Sequence, residues 1–180
     1  MSEQAFAAEE IISLLTELGS DLHARGIQAE LFVVGGAAMA LAYNSRRATR
    51  DIDAVFEPKQ AVYEAADRIA LRHALPDNWL NDAVKGFLPG GDPHQRAVFA
   101  APGINVSVPS PKYLLALKVH AARIDRDRDD IVTLARLCGV SSAGEVLTIA
   151  ERIMGPNRLQ AKTQFMVQEL FPDGNVPTAR

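Results

Sequence analysis

The sequence has a single cysteine, no excess of positive charge and no long hydrophobic run. One cysteine, Cys138, excludes an internal disulfide, so we expect a reduced, cytoplasmic setting. A formal net charge of −3 argues against a protein that coats nucleic acid, although a local basic patch is compatible with it. No segment approaches the roughly 20 apolar residues of a membrane helix, and no secretion signal is visible, so no membrane partner is expected.

The 180 residues, 48% of them hydrophobic, suit one domain with a short helical extension. We predict helices over 4–24, 37–43, 58–73, 111–124, 130–138, 142–154 and 156–171, strands over 29–34, 51–56, 96–101 and 103–108, and a loop-rich segment over 76–94 with a helical turn near 79–84. This order predicts an α/β (α+β) fold, in which a small mixed β-sheet with packed helices precedes a helical C-terminal part. We assign 1–110 to the core, 111–171 to a helical part that completes the site, and 172–180 to a flexible tail.

The strongest local signal is Val33-Val34-Gly35-Gly36, followed after fourteen residues by Asp51-Ile52-Asp53. A diglycine directly after a strand lets the backbone approach a ligand closely, and its amides and the following helix start can donate to phosphate oxygens. Two aspartates two positions apart on a strand project from the same face. Their carboxylates repel each other unless a cation lies between them, and magnesium commonly shares such ligands with substrate phosphates.

This block resembles the signature of the nucleotidyltransferase superfamily that includes DNA polymerase beta: Gly-Gly or Gly-Ser, a short helix, then Asp-x-Asp on the next strand. The downstream segments 114–118, 121–123 and 126–131 are similar to motifs of its AbiEii/MenT-type branch. That branch consists of minimal nucleotidyltransferases that act as toxins in toxin–antitoxin and phage-defence systems. The matching segments together span roughly residues 30–137.

The resemblance implies a transferase of the EC 2.7.7 type, which moves a nucleotide from an NTP to a hydroxyl of RNA (the 3′ end of a tRNA) or of a protein. It implies that Asp51 and Asp53 hold Mg²⁺ and that Gly35-Gly36, together with Lys118, contacts the triphosphate. Asp130 would be an active-site carboxylate that, like a strand aspartate, could accept the proton of the acceptor hydroxyl. An antitoxin would be a partner protein.

Several of these residues also have a simpler structural interpretation. Lys118 lies in an otherwise apolar helix, so it must either find a carboxylate or phosphate, or extend from the helix edge into solvent. Asp127 and Asp129 are expected to cap the helix that begins near residue 130, or to be solvated. For Asp130, capping and a place in the active site are equally supported.

The loop before the Asp-x-Asp carries Arg46, Arg47 and Arg50. Three arginines beside two acids could steer a phosphate-rich substrate, and we assign Arg47 to nucleotide binding. The alternative is that these arginines are solvated, or that one pairs structurally with Asp51 or Asp53.

One departure from the superfamily pattern concerns the third metal-binding carboxylate, which polymerase-type members carry on a later strand. The matching strand, 103–108, offers only Asn105 and Ser107. Either the segment 127–130 supplies that carboxylate, or metal binding is weakened. The second case motivates an alternative function, a catalytically degraded relative that binds nucleotide or a partner protein without turnover. A structural protein with a chance Gly-Gly and Asp-x-Asp is a third hypothesis, and the sequence chooses no nucleotide, acceptor or pathway.

Overall fold

The computed structural model describes residues 5–44, 46–121 and 123–172. The chain divides into two compact units. Unit 1 comprises Met1–Phe87 and Gln95–Val108, and unit 2 comprises Leu88–His94 and Pro109–Arg180. The predicted fold class is confirmed, because unit 1 contains a five-stranded mixed sheet with packed helices and the described part of unit 2 is helical. Most of the predicted flexible tail lies outside the described residues.

The sheet of unit 1 has the strand order β3-β2-β1-β5-β4. Its strands are β1 (Ala29–Val33), β2 (Ile52–Glu57), β3 (Leu80–Asn81), β4 (Arg96–Ala101) and β5 (Ile104–Val108). Strand β1 runs antiparallel to β2 and parallel to β5, β3 runs parallel to β2, and β4 runs antiparallel to β5. The prediction of only a helical turn near 79–84 missed β3, because a strand of two residues is too short to show an alternating pattern.

The helices of unit 1 cover one face of this sheet. They are α1 (Ala8–Ala24), α2 (Gly35–Ala38), which continues directly into a π-helix (Met39–Tyr43), α3 (Lys59–His73) and a 3₁₀-helix (Ala83–Gly86). Alternate residues of β2, namely Ile52, Ala54 and Phe56, are at most 3% exposed, so they face the core. Helix α1 begins later than predicted because Phe6 pairs with Thr49 through two main-chain hydrogen bonds.

Unit 2 is built around α4 (Pro111–Ala121), which contacts each of the other three helices, α5 (Ile124–Leu137), α6 (Ala143–Met154) and α7 (Ala161–Leu170). The predicted start at Ser110-Pro111 is confirmed, since the Ser110 hydroxyl accepts the Tyr113 amide at 3.4 Å. The predicted start of the last helix at 156 is wrong, because Asn157 has a φ of 63°, which a right-handed helix does not allow.

The charged segment that follows α4 was predicted to precede a helix over 130–138, and this boundary is wrong. Helix α5 already begins at Ile124. Asp127, Asp130, Ile131 and Leu134 then recur at the steps of three and four residues that define one face of a helix. This face is buried, since these four residues are at most 6% exposed. The earlier start therefore carries two aspartates into the interior of unit 2.

Candidate functional site

The glycine turn and the Asp-x-Asp segment meet across the first two strands of unit 1. Because β1 and β2 are antiparallel, the residue after β1 lies opposite the start of β2, and the Val34 amide donates to the Asp53 carbonyl at 2.9 Å. Gly35 follows with a φ of 63°, in the left-handed region that glycine adopts without strain. A Cβ at Gly35 would lie 3.2 Å from Asp53 Oδ2. The Asp53 carboxylate is therefore held directly against the turn.

The second glycine of the turn packs against Thr49. A Cβ at Gly36 would lie 2.7 Å from Thr49 Oγ1, so a larger side chain would displace the threonine. The Thr49 hydroxyl donates to the main-chain carbonyl of Asp51 at 3.2 Å. This contact fixes the main chain of Asp51. Thr49 thus links the turn to the segment that carries the two acids.

Asp53 projects from the sheet face opposite the core, because its neighbours Ile52 and Ala54 face the core. Asp51 directly precedes β2 and Asp53 lies within it, and both are half-buried, whereas the intervening Ile52 is fully buried. Two hard, partly accessible carboxylates suit Mg²⁺, which takes its remaining ligands from water and phosphate. Among the described residues, no group of three or more histidine, cysteine or acidic side chains is arranged to hold a metal ion. A metal at this edge would therefore depend on these two carboxylates and on the substrate.

The strand that would carry a third carboxylate uses its polar side chains locally. Asn105 Nδ2 donates to Glu30 Oε1 at 2.6 Å across the β1–β5 pair. Ser107 donates through Oγ to the Leu31 carbonyl at 3.4 Å. This part of the site therefore differs from the polymerase-type pattern, as the sequence indicates.

Three arginines lie in the segment that leads from the π-helix to β2. Arg46 and Arg50 are exposed, whereas Arg47 is half-buried and its Nε atom is shielded from solvent. Arg96 was not among the predicted site residues, and its guanidinium lies 5.5 Å from the centre of the Tyr43 ring. Arg96 pairs with Val108 at the end of β5, the same edge at which β1 ends. No local pattern marks it, because only strand pairing brings residue 96 to this edge.

Unit 2 contains a buried ion cluster. Lys118 Nζ donates to Asp127 Oδ1 at 2.6 Å and to Asp130 Oδ2 at 2.8 Å. Lys118 is 7% exposed, Asp127 6% and Asp130 2%. The alternative in which Lys118 extends into solvent is therefore wrong. So is the expectation that Asp127 caps a helix or is solvated, whereas Asp129 is exposed as expected.

The charges of this cluster depend on one another. Taking three charged groups out of water costs several kcal/mol per ion. Only opposite charges in close, hydrogen-bonded contact offset a cost of that size. Lys118 provides that attraction for both carboxylates. Asp130 does not cap the helix, because it lies in the second turn of α5 rather than at its start. Capping is therefore excluded for Asp130, and its place in the active site stays a prediction.

These features define the class of protein: a mixed α/β nucleotidyltransferase-type domain with a glycine turn against Asp-x-Asp. A family model described as "Nucleotidyltransferase of unknown function (DUF6036)" matches residues 9–150. The chain therefore belongs to this nucleotidyltransferase family. The prediction of a nucleotidyltransferase is confirmed at this level.

The chain is also similar to a solved structure, that of an antigenic nucleotidyltransferase-like protein from Paracoccidioides brasiliensis. The two share 13% identity over 93% of this chain and 89% of the other, with a TM-score of 0.43. No curated protein gives a significant match. Within the described part of the chain, no helix combines the length and apolar character needed to cross a membrane.

Proposed function

We propose that this protein is a magnesium-dependent nucleotidyltransferase of the EC 2.7.7 type that transfers a nucleotide from an NTP to a hydroxyl of tRNA or protein. The observation that supports this most is the position of Asp53 Oδ2 against Gly35, 3.2 Å from where a Cβ would stand. A carboxylate and a turn without side chains then share one spot, where a divalent cation and phosphate oxygens can meet. Family membership supports nucleotide transfer in general.

In the proposed reaction, the acceptor oxygen attacks the α-phosphorus, the bond from that phosphorus to the β-phosphate bridging oxygen breaks, and pyrophosphate leaves. Bound magnesium would supply charge stabilisation for the departing pyrophosphate. Asp51 and Asp53 would hold the ion, and the main chain at Gly35-Gly36 would border the triphosphate. The acceptor proton would pass to a strand aspartate, because Asp130 is almost fully buried and already accepts from Lys118.

For unit 2 we propose that Lys118 contacts a phosphate oxygen. An ammonium group has three N–H donors, and two of them are directed at Asp127 and Asp130. The two carboxylates fix the side chain, and the remaining donor is then available in a single direction. In this proposal Asp127 is a positioning residue that acts through Lys118.

We further propose that the protein is a cytoplasmic toxin component of the AbiEii/MenT type, with an antitoxin as its partner. This rests on the resemblance of segments 114–118, 121–123 and 126–131 to the motifs of that branch. The Lys118–Asp127–Asp130 cluster supports it, because residues from two of these segments contact each other. Arg47, at the sheet edge, is proposed to bind the nucleotide.

The proposal is tested by incubating the protein with each radiolabelled NTP, total tRNA or total protein, and increasing magnesium. We expect label transfer that requires magnesium and disappears in Asp53→Ala. Asp67→Ala is the matched control, because Asp67 is an exposed acid on the far helix α3 of the same unit, and this variant should retain full transfer. Label transfer that persists in Asp53→Ala would refute the proposed active site at the glycine turn and the Asp-x-Asp segment.

The second candidate function is a module that binds nucleotide or a partner protein without turnover. The observation in its favour is that β5 places Asn105 and Ser107, rather than a carboxylate, beside β1 and uses both locally. Nucleotide binding that persists in Asp53→Ala, with no label transfer from any NTP to either acceptor, would support this function over the enzyme.

A further inference from the structure

Unit 2 contains a cavity of about 670 Å³ that the proposed reaction does not use. It lies between the loop 89–94, the start of α4 and the C-terminal ends of α5 and α6, all within unit 2. Its volume falls within the range of about 300–1,000 Å³ that is usual for small-molecule sites. None of the residues Lys118, Asp127 and Asp130 lines it.

Hydrogen bonds fix the loop that forms one wall of this cavity. Asp92, which is 8% exposed, accepts the His94 amide at 2.9 Å through Oδ1 and the Ser110 amide at 2.6 Å through Oδ2. The Tyr113 hydroxyl donates to the Gly90 carbonyl. The negative charge of Asp92 is thus already offset by two amides and by the start of helix α4. This wall of the cavity is therefore preformed, and the Asp92 carboxylate already has its hydrogen-bond partners within the protein.

The remaining charged residues that line the cavity are basic. Lys112 lies at the start of α4 and Arg152 near the end of α6, and both are exposed. Among the described residues, neither forms an ion pair with an acid. Apolar surface lies beside them, since Leu137 is 54% exposed and Ile153 is half-buried. The cavity therefore combines an apolar wall with a positive rim.

We propose that this cavity is a binding site for a small organic anion, a phosphate or carboxylate carried on an apolar body. Lys112 and Arg152 contact the anionic group, and Leu137 and Ile153 contact the body. None of the residues that line this cavity takes part in the proposed transfer reaction, so occupancy of the cavity can be measured whether or not the protein transfers nucleotides.

Cys138 provides a specific readout of occupancy. It is the only cysteine of the chain and it lines the cavity, so a ligand bound there should shield its thiol. Burial raises the pKa of the Cys138 thiol, so labelling is best followed at alkaline pH with an uncharged reagent such as iodoacetamide. The probes are phenyl phosphate, benzoate, benzyl alcohol and inorganic phosphate.

We expect phenyl phosphate or benzoate to slow labelling about tenfold at ten times its dissociation constant, and the more effective of the two identifies the anionic group. Benzyl alcohol and inorganic phosphate should have little effect at the same concentration, because each lacks one half of the ligand. The double variant Lys112→Gln, Arg152→Gln should lose the protection. Lys162→Gln, on the exposed side of α7, should retain it.

Three results would overturn the proposal. Equal protection by benzyl alcohol and phenyl phosphate would show that the anion is not recognised. Protection that persists in the double variant would place the ligand elsewhere, and the absence of protection by either anion would leave the cavity without the proposed ligand. Urea unfolding of each variant establishes that a loss of protection does not come from unfolding.

Discussion

Two pairs of aspartates in this protein occupy opposite environments. Asp51 and Asp53 are half-buried at the start of β2 in the unit 1 sheet. Asp127 and Asp130 are almost completely buried in unit 2, and both accept hydrogen bonds from Lys118. The residue types are the same, and the sequence spacing differs by only one position.

The degree of burial decides what a pair of carboxylates can bind. A buried pair requires a fixed cation, because water is not available to offset its charge, and the protein provides that cation as a lysine. A half-exposed pair can exchange water for a metal ion and then for phosphate oxygens. The first pair thus suits a ligand that arrives from solution, and the second holds a side chain of the protein in place.

The largest expected effect comes from Lys118→Met. This substitution leaves two buried carboxylates without their cation, so the free energy of unfolding should fall by about 3–5 kcal/mol. Urea denaturation followed by circular dichroism measures it. The triple variant Lys118→Met, Asp127→Asn, Asp130→Asn is the control, and it should recover most of the loss because the unpaired charges are gone. A loss below about 1 kcal/mol would mean that water reaches the cluster.

Asp53→Asn tests the half-buried pair of aspartates in unit 1. We expect label transfer to fall by at least about a hundredfold, a barrier increase of about 2.7 kcal/mol, because an amide is a poor ligand for magnesium. The free energy of unfolding should change by less than about 0.5 kcal/mol, or rise, because two neighbouring carboxylates repel each other. A destabilisation as large as that of Lys118→Met would show that Asp53 has a structural role instead.

Gly35→Ala tests whether the glycine turn takes part in nucleotide binding. Gly35 and Gly26 have similar φ angles, 63° and 69°, but only a Cβ at Gly35 would contact another side chain, that of Asp53. Both alanine variants should lose about 1–2 kcal/mol of stability through left-handed strain. Only Gly35→Ala should also weaken binding of an NTP, measured by isothermal titration calorimetry. Equal nucleotide binding by the two variants would show that the glycine turn does not contact the nucleotide.

The smallest effect is expected for a partly exposed ion pair, Asp21–Arg68, which joins α1 and α3 in unit 1. Arg68 Nε donates to Asp21 Oδ2 at 2.9 Å, and this hydrogen bond lowers the pKa of Asp21 from its ordinary 3.8. Because the pKa is lower in the folded protein, the pair stabilises the fold above about pH 4 and loses this contribution as the pH falls through the lowered value.

A double-mutant cycle of Asp21→Asn and Arg68→Met, followed by urea denaturation, should give a coupling energy of about 0.2–1 kcal/mol at neutral pH. The coupling should vanish in acid, where Asp21 is protonated in both the folded and unfolded states. A coupling energy that is unchanged at low pH would show that the interaction between the two side chains is not electrostatic.

Much of unit 1 was predictable because its signals are local. The apolar pattern of the strands β1, β2 and β5 and the periodicity of α1 and α3 are each visible within a window of a few residues, and the predicted elements match to within a few residues. The Gly35-Gly36 and Asp51–Asp53 motifs were also found in this way.

The features that were missed depend on residues far apart in the chain. Strand β3 exists only because Asn81 pairs with Asp53. Arg96 reaches Tyr43 only through the pairing of β4 with β5. In unit 2, the helix was predicted to begin only at residue 130, although the positions of Asp127 and Asp130 fit the buried face of a helix that begins at Ile124. That interpretation needs the buried partner Lys118, which lies in another helix.

By itself the sequence determined the fold class, the glycine turn followed by Asp-x-Asp, and the membership of a nucleotidyltransferase family, because each is encoded in short-range periodicity or in a contiguous motif. Only the tertiary structure decided that Asp53 lies against Gly35 and that Lys118 holds Asp127 and Asp130. The physical reason is that desolvation and charge pairing depend on which elements pack together. Residues of identical type can therefore face water in one unit and a lysine in the other.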